Sequence, residues 1–130
     1  MEQTYTILVV DDEPINVLLL TKILEIRDYN VISAESGIEA LQIMQQIKPD
    51  LVLLDLLMPG ISGFEVLGQI KNSNDLKNVP VIIISALNDY KSKEKATLLG
   101  AIAFITKPVL QEYILAIVGN ILIARDSKVG

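Results

Sequence analysis

Short β-branched or leucine-rich runs alternate five times with longer segments of helical period along this 130-residue chain. That alternation is the pattern of parallel strands joined by crossover helices. The predicted strands are Ile7 to Val10, Val31 to Ala34, Leu51 to Leu54, Val81 to Ser85 and Ala103 to Thr106. Three are continuously apolar, as expected of central strands covered by helices on both faces. Between them, apolar residues recur at spacings of three and four. Ile15, Leu19, Ile23 and Ile26 follow Asp12, while Ile38, Leu41 and Met44 follow Ser36-Gly37. Val66, Leu67 and Ile70 follow Gly63, and Ala96 and Leu99 precede Gly100, which suits a helix C-cap. Leu110, Ile114, Ile117 and Ile121 mark the last helix.

Five βα units in a chain of this length predict one α/β domain, a doubly wound open sandwich with right-handed crossovers. Its core is expected over about residues 6–124, with a polar tail at 125–130. In such folds the ligand site lies outside the carboxyl ends of the strands, beside the point where strand order reverses. Chemistry is therefore sought at the residues that follow each strand.

Composition narrows that chemistry. With 51% hydrophobic residues and a mean hydropathy of +0.45, the chain can bury a full core. It contains neither cysteine nor histidine, which removes disulfides, thiolate metal sites and any Ser/His/Asp hydrolase. A net charge of −5 argues against a nucleic-acid surface and for a protein or a cation as partner. The N-terminus does not read as a signal peptide, and no apolar run is long enough to span a membrane, so a cytoplasmic location is expected.

Asp11 and Asp12 follow the first predicted strand, and Asp55 follows the third. Each has an ordinary reading of its own. Asp11-Asp12-Glu13-Pro14 suits a helix start with an acidic cap and proline in the first turn, and Asp55 suits a turn before Pro59-Gly60. Together, if the two strands are neighbours, they form an all-oxygen carboxylate cluster of the kind that binds a hard ion such as Mg²⁺. Ser85 and Lys107 end the fourth and fifth strands at the same edge. Three carboxylates, a hydroxyl and an ammonium can hold a divalent ion and a tetrahedral oxyanion, and can offer one carboxylate as nucleophile.

Over about Thr6 to Ala124 the chain resembles the receiver domain of two-component response regulators, a chemotaxis-receiver-like family. Ile7-Leu8-Val9-Val10-Asp11-Asp12-Glu13-Pro14 is similar to the family's acidic-pocket motif, and Leu53 to Gly63 to its phosphoacceptor strand and loop. Phe104-Ile105-Thr106-Lys107-Pro108 is similar to its lysine motif. The resemblance implies a flavodoxin-like sheet of order 2-1-3-4-5 flanked by five helices. It also implies a signalling phosphoacceptor rather than a conventional enzyme, with Asp55 phosphorylated by a histidine kinase or phosphotransfer protein. Asp12, Asp55 and the Leu57 carbonyl would bind Mg²⁺ directly, with Asp11 acting through a water. Ser85 and the N–H groups of Leu57 and Ala86 would hold the phosphoryl oxygens, and Lys107 would pair with one of them. Phe104 would be the switch aromatic that turns inward with Ser85, although an aromatic packed on an edge strand fits that position too. The Lys107-Pro108 bond is expected to be cis.

Other classes fit less well. A haloacid-dehalogenase-like phosphatase needs a second Asp two residues after its nucleophile, and Leu57 stands there. Neither G-x-G-x-x-G nor a P-loop occurs. A receiver that is never phosphorylated and only docks to partners is the remaining alternative.

The last helix is apolar almost all round. With Leu110, Ile114, Ile117, Val118 and Ile121 facing the sheet, Leu115, Leu122 and Ile123 are expected outside. Together with Ile102 they predict an apolar patch on the fourth-helix, fifth-strand and fifth-helix face, for a second copy or a following output domain.

Overall fold

The computed structural model describes residues 4–127. Its elements alternate as expected: β1 (Thr6–Val10), α1 (Pro14–Glu25), β2 (Asn30–Ala34), α2 (Gly37–Gln46), β3 (Leu51–Leu54), α3 (Gly63–Asn72), β4 (Val81–Ser85), α4 (Tyr90–Leu99), β5 (Ala103–Thr106) and α5 (Gln111–Ser127). All five strands are parallel, in the order β2-β1-β3-β4-β5. The three continuously apolar strands are the three central ones, because only they are buried on both faces.

The twofold alternation of side chains along each strand divides the core in two. Leu8, Val10, Val52, Leu54, Val81 and Ile83 point to the layer formed by α2, α3 and α4. Ile7, Val9, Leu51, Leu53, Ile82 and Ile84 point to the layer formed by α1 and α5.

Local signals set the helix ends. Ser36 and Ser62 accept the N–H groups of Glu39 and Glu65 at the starts of α2 and α3. Asp89 caps α4 by accepting the Ser92 N–H, a bond that holds its carboxyl below the ordinary carboxylate range. Gly100 closes α4 at φ 110°, a left-handed conformation that glycine adopts without steric cost.

Three helix faces differ from the sequence expectation. In α1 the buried side chains are Leu20, Ile23 and Leu24, whereas Ile15, Leu19 and Ile26 are exposed. Apolar residues surround this helix, so spacing alone admits several arcs. The entry from β1 selects one, with Asp11 Oδ1 holding the Glu13 N–H at 3.0 Å. The acidic cap position is Glu13, without a side-chain cap bond, and Pro14 opens the helix as expected. In α2, Gly37, Ala40 and Met44 are buried and Ile38 lies outside.

The third difference corrects the predicted interface. Leu115 and Leu122 are only 6% and 1% exposed, and pack with Ile114 and Val118 against β1, β3 and α1. Burying such a side chain stabilises the fold by roughly 1.5–3 kcal/mol, so these leucines are core, not patch. Leu110 lies outside, before the first turn of α5. The polar tail is also shorter than expected. Helix α5 continues to Ser127, and Arg125 donates to the Asp50 carbonyl at 2.6 Å and to its carboxylate at 3.3 Å. Residues 128–130 of the predicted tail lie outside the described residues.

Candidate functional site

Strand order reverses between β1 and β3, and the candidate residues converge at the carboxyl ends of those two strands. Parallel pairing of Val10 with Leu54 puts Asp11 and Asp55 side by side. The backbone fixes both: the Asp55 N–H donates to Val10 O at 3.0 Å and the Asp11 N–H to Ala34 O at 3.1 Å. Asp11 and Asp55 are buried and Asp12 half-buried, and carboxylate oxygens of all three lie within 4.8 Å of one another.

Lys107 reaches this cluster from the end of β5. Its Nζ lies 3.0 Å from Asp11 Oδ2 and 3.0 Å from Asp55 Oδ2. Burial disfavours the ammonium, but the hydrogen bonds and charges of Asp55 and Asp11 outweigh that penalty, so its pKa ends above the ordinary lysine value. The Lys107 N–H donates to Ser85 O at 2.9 Å, and the Lys107-Pro108 peptide is cis as expected. One ammonium among three carboxylates leaves the pocket negative. With oxygen as its only side-chain donor atom, such a pocket fits a hard divalent cation.

Of the other expected residues, Ser85 ends β4, Leu57 and Ala86 follow the carboxyl ends of β3 and β4, and Phe104 and Ile102 lie within β5 and just before it. Ser85 is fully buried at the end of β4, with its Oγ accepting the Leu87 N–H at 3.2 Å. The Leu57 N–H donates to Asp55 Oδ1 at 3.1 Å, and the Leu57 side chain is exposed, as is Ala86. Phe104 lies partly buried on the edge strand with the Lys93 ammonium 5.8 Å from its ring centroid. Ile102 is 56% exposed, in keeping with its place in the predicted patch.

Two features of the site are not legible in the sequence. A Cβ on Gly63 would fall on the Asp55 carbonyl oxygen and 2.7 Å from Leu56 Cα. The α3 start therefore lies directly against the acceptor loop, and the Gly63 N–H donates to Leu56 O at 3.1 Å. Nothing in the local sequence separates this glycine from one needed only for a turn. The second feature is the apolar rim beside Lys107. Leu19 and Leu20 of α1 line a cleft with Lys107, Pro108 and Val109, and Ile15, Leu18 and Leu19 are exposed. Spacing conceals this rim, because it assigns Ile15 and Leu19 to the core face of α1.

A doubly wound α/β domain carrying an acidic, lysine-bridged pocket at its switch point is the architecture of a signalling receiver. The chain belongs to the response regulator receiver domain family, whose family model matches residues 7–119. This places it in two-component signalling. It is 35% identical over 116 residues to protein PilH of Pseudomonas aeruginosa, covering 89% of this chain and 96% of that one. Among solved structures it is similar to the receiver domain of a signal transduction histidine kinase from Syntrophus aciditrophicus, with 31% identity, a TM-score of 0.87 and 93% and 92% of the two chains covered. It is also similar to response regulator TrrA of Thermotoga maritima, determined in complex with Mg²⁺-BeF. That likeness has 35% identity and a TM-score of 0.80, with 90% and 98% covered. No helix among the described residues is long and apolar enough to cross a membrane.

Proposed function

We propose that the chain is a cytoplasmic phosphoryl-accepting switch, a single receiver domain in which Asp55 takes a phosphoryl group from a histidine kinase or phosphotransfer protein. The observation that carries this reading is the Lys107 ammonium, 3.0 Å from two buried carboxylates of a three-carboxylate pocket. That arrangement places a fixed cation beside Asp55, where phosphoryl charge would gather. In the transfer, an Asp55 oxygen forms the new O–P bond as the donor's N–P bond breaks, and the imidazole nitrogen keeps the electron pair. Lys107 exchanges its Asp55 contact for a phosphoryl oxygen. Ser85 and the N–H groups of Leu57 and Ala86 supply hydrogen bonds to the remaining oxygens.

Asp12, Asp55 and the Leu57 carbonyl would hold Mg²⁺ directly, with Asp11 acting through a water. The bound ion supplies charge neutralisation to the phosphoryl oxygens. Phe104 would follow Ser85 inward as the switch aromatic, passing the change to α4, β5 and α5. The exposed Leu19 of α1 lines the cleft beside Lys107, and Ile15 and Leu18 of the same helix are exposed as well, an apolar surface for a donor protein. A net charge of −5 supports protein partners over direct nucleic-acid contact.

The expected result is Mg²⁺-dependent labelling by acetyl phosphate or by a partner kinase, lost in Asp55→Asn. Equal labelling of that variant, or labelling in EDTA, would contradict the assignment. A protein that takes no label under any condition would leave only the docking reading.

Leu57 and Leu87, two residues after Asp55 and Ser85, would flank the path of a hydrolytic water. Neither can orient that water, and both can exclude it. Autodephosphorylation is therefore expected to be slow, and Leu57→Asn or Leu87→Glu should speed it by about tenfold, roughly 1.4 kcal/mol of barrier. Decay of the phosphorylated proteins with Mg²⁺ present measures this, and unchanged rates in both variants would show that these side chains do not control water access.

With Leu115 and Leu122 assigned to the core, the output surface rests on Ile102 and on Leu98 of α4, both exposed. A homodimer through this face should dissociate in the double variant Leu98→Asp with Ile102→Asp. Sedimentation of phosphorylated wild type and variant as the same species would exclude self-association here.

A further inference from the structure

A cleft of about 650 Å³ opens at the end of the sheet opposite Asp55, within the range of about 300–1,000 Å³ typical of small-molecule sites. It lies at the amino ends of the strands: Pro80 immediately precedes β4, Ile102 precedes β5, and Lys48 lies in the connection before β3. Its other wall is the last part of α5, where Asn120, Ile121, Ala124 and Arg125 all lie beyond the family match at residue 119. Half of the cleft's lining is therefore supplied by the second half of α5.

The lining has a definite chemistry. Ile102, Ile121 and Pro80 give apolar walls, Asn78 and Asn120 give carboxamides, and Lys48 and Arg125 give positive charge. Arg125 is held in place from behind. One of its nitrogens, Nη1, contacts the Asp50 carbonyl and carboxylate, which leaves donors of the guanidinium fork available. The Asp50 carboxylate is itself engaged by the Thr6 N–H at 2.8 Å. Lys48 is exposed and forms no ion pair among the described residues. In a chain of net charge −5, an apolar cleft edged by the Lys48 ammonium and by the remaining donors of the Asp50-paired Arg125 guanidinium is complementary to an anion with a hydrophobic body.

We propose that this cleft binds a small organic anion, a ring compound of about mononucleotide size bearing a phosphate or carboxylate. The ring lies on Ile102 and Ile121 with its polar edge to Asn78 and Asn120, and the anionic group faces Lys48 and Arg125. This site is separate from the phosphoryl acceptor and does not depend on its chemistry.

Adenosine monophosphate is a suitable probe, with adenosine as the control that lacks the anion. In an NMR titration of the full chain with Asp55→Asn, which keeps the acceptor from reacting, the phosphate compound should give saturable amide shifts at Asn78, Ile102 and Asn120. Adenosine should bind about tenfold more weakly, the difference expected for loss of one charge-assisted contact. Lys48→Glu should weaken the nucleotide by a similar factor, and Ala124→Phe should block the cleft. Because both positions are exposed, the variants should fold as wild type, and their spectra without ligand check this. No saturation, shifts confined to the Asp55 edge, equal affinity for both compounds, or affinity unaltered in the two folded variants would each overturn the proposal.

Discussion

Replacing Lys107 by alanine is expected to slow phosphoryl transfer to Asp55 by about a hundredfold or more, roughly 2.7 kcal/mol of barrier or above. The ammonium bridges Asp11 and Asp55 at 3.0 Å each, and both carboxylates are buried. Its removal has two effects. It leaves adjacent carboxylates facing one another without their counter-charge, and it deletes the ammonium that pairs with the acceptor carboxylate. Lys107→Arg should recover little, because a planar guanidinium does not replace a compact ammonium at a point between two carboxylates. Initial labelling rates from acetyl phosphate at saturating Mg²⁺ measure the effect. Rates for the alanine variant close to wild type would show that Lys107 has no part in transfer.

The same substitution at two glycines of α3 should act in opposite directions. Gly63→Ala drives a methyl group onto the Asp55 carbonyl oxygen and toward Leu56 Cα, and backbone cannot yield as a flexible side chain can. A loss of about 1–3 kcal/mol is expected, with displacement of the acceptor loop. Gly68 lies in the same helix, and a methyl group added there would meet nothing within 4 Å. There alanine restores helix propensity and reduces the freedom of the unfolded chain, for a gain of about 0.5–1 kcal/mol. Urea unfolding of the two variants checks both signs, and a Gly63→Ala protein as stable as wild type would mean that the α3 start can move away from the loop.

Gly63 also marks where sequence reasoning stops. The strands were legible because burial on both faces demands runs such as Leu51 to Leu54, and parallel crossovers then fix the edge at which Asp11, Asp55, Ser85 and Lys107 meet. Spacing could not choose a face where apolar residues surround a helix. Leu19 and Leu115 exchanged roles for that reason: one was expected in the core and is exposed, the other was expected outside and is buried. A close backbone approach, like that at Gly63, depends on how two segments meet and leaves no periodic signal. The tie from Arg125 to Asp50 is of the same kind, joining residues 75 positions apart through a contact that neither local segment announces.

The central claim is that Asp55 is the phosphoryl acceptor, and the most direct test is to locate the phosphoryl group chemically. The chain is phosphorylated with Mg²⁺ present and reduced with borohydride, which converts an aspartyl phosphate to homoserine, and the product is mapped by peptide mass spectrometry. The predicted result is reduction at Asp55 alone, absent when the donor or Mg²⁺ is withheld. Reduction at Asp11, Asp12 or another carboxylate, with Asp55 intact, would contradict the account.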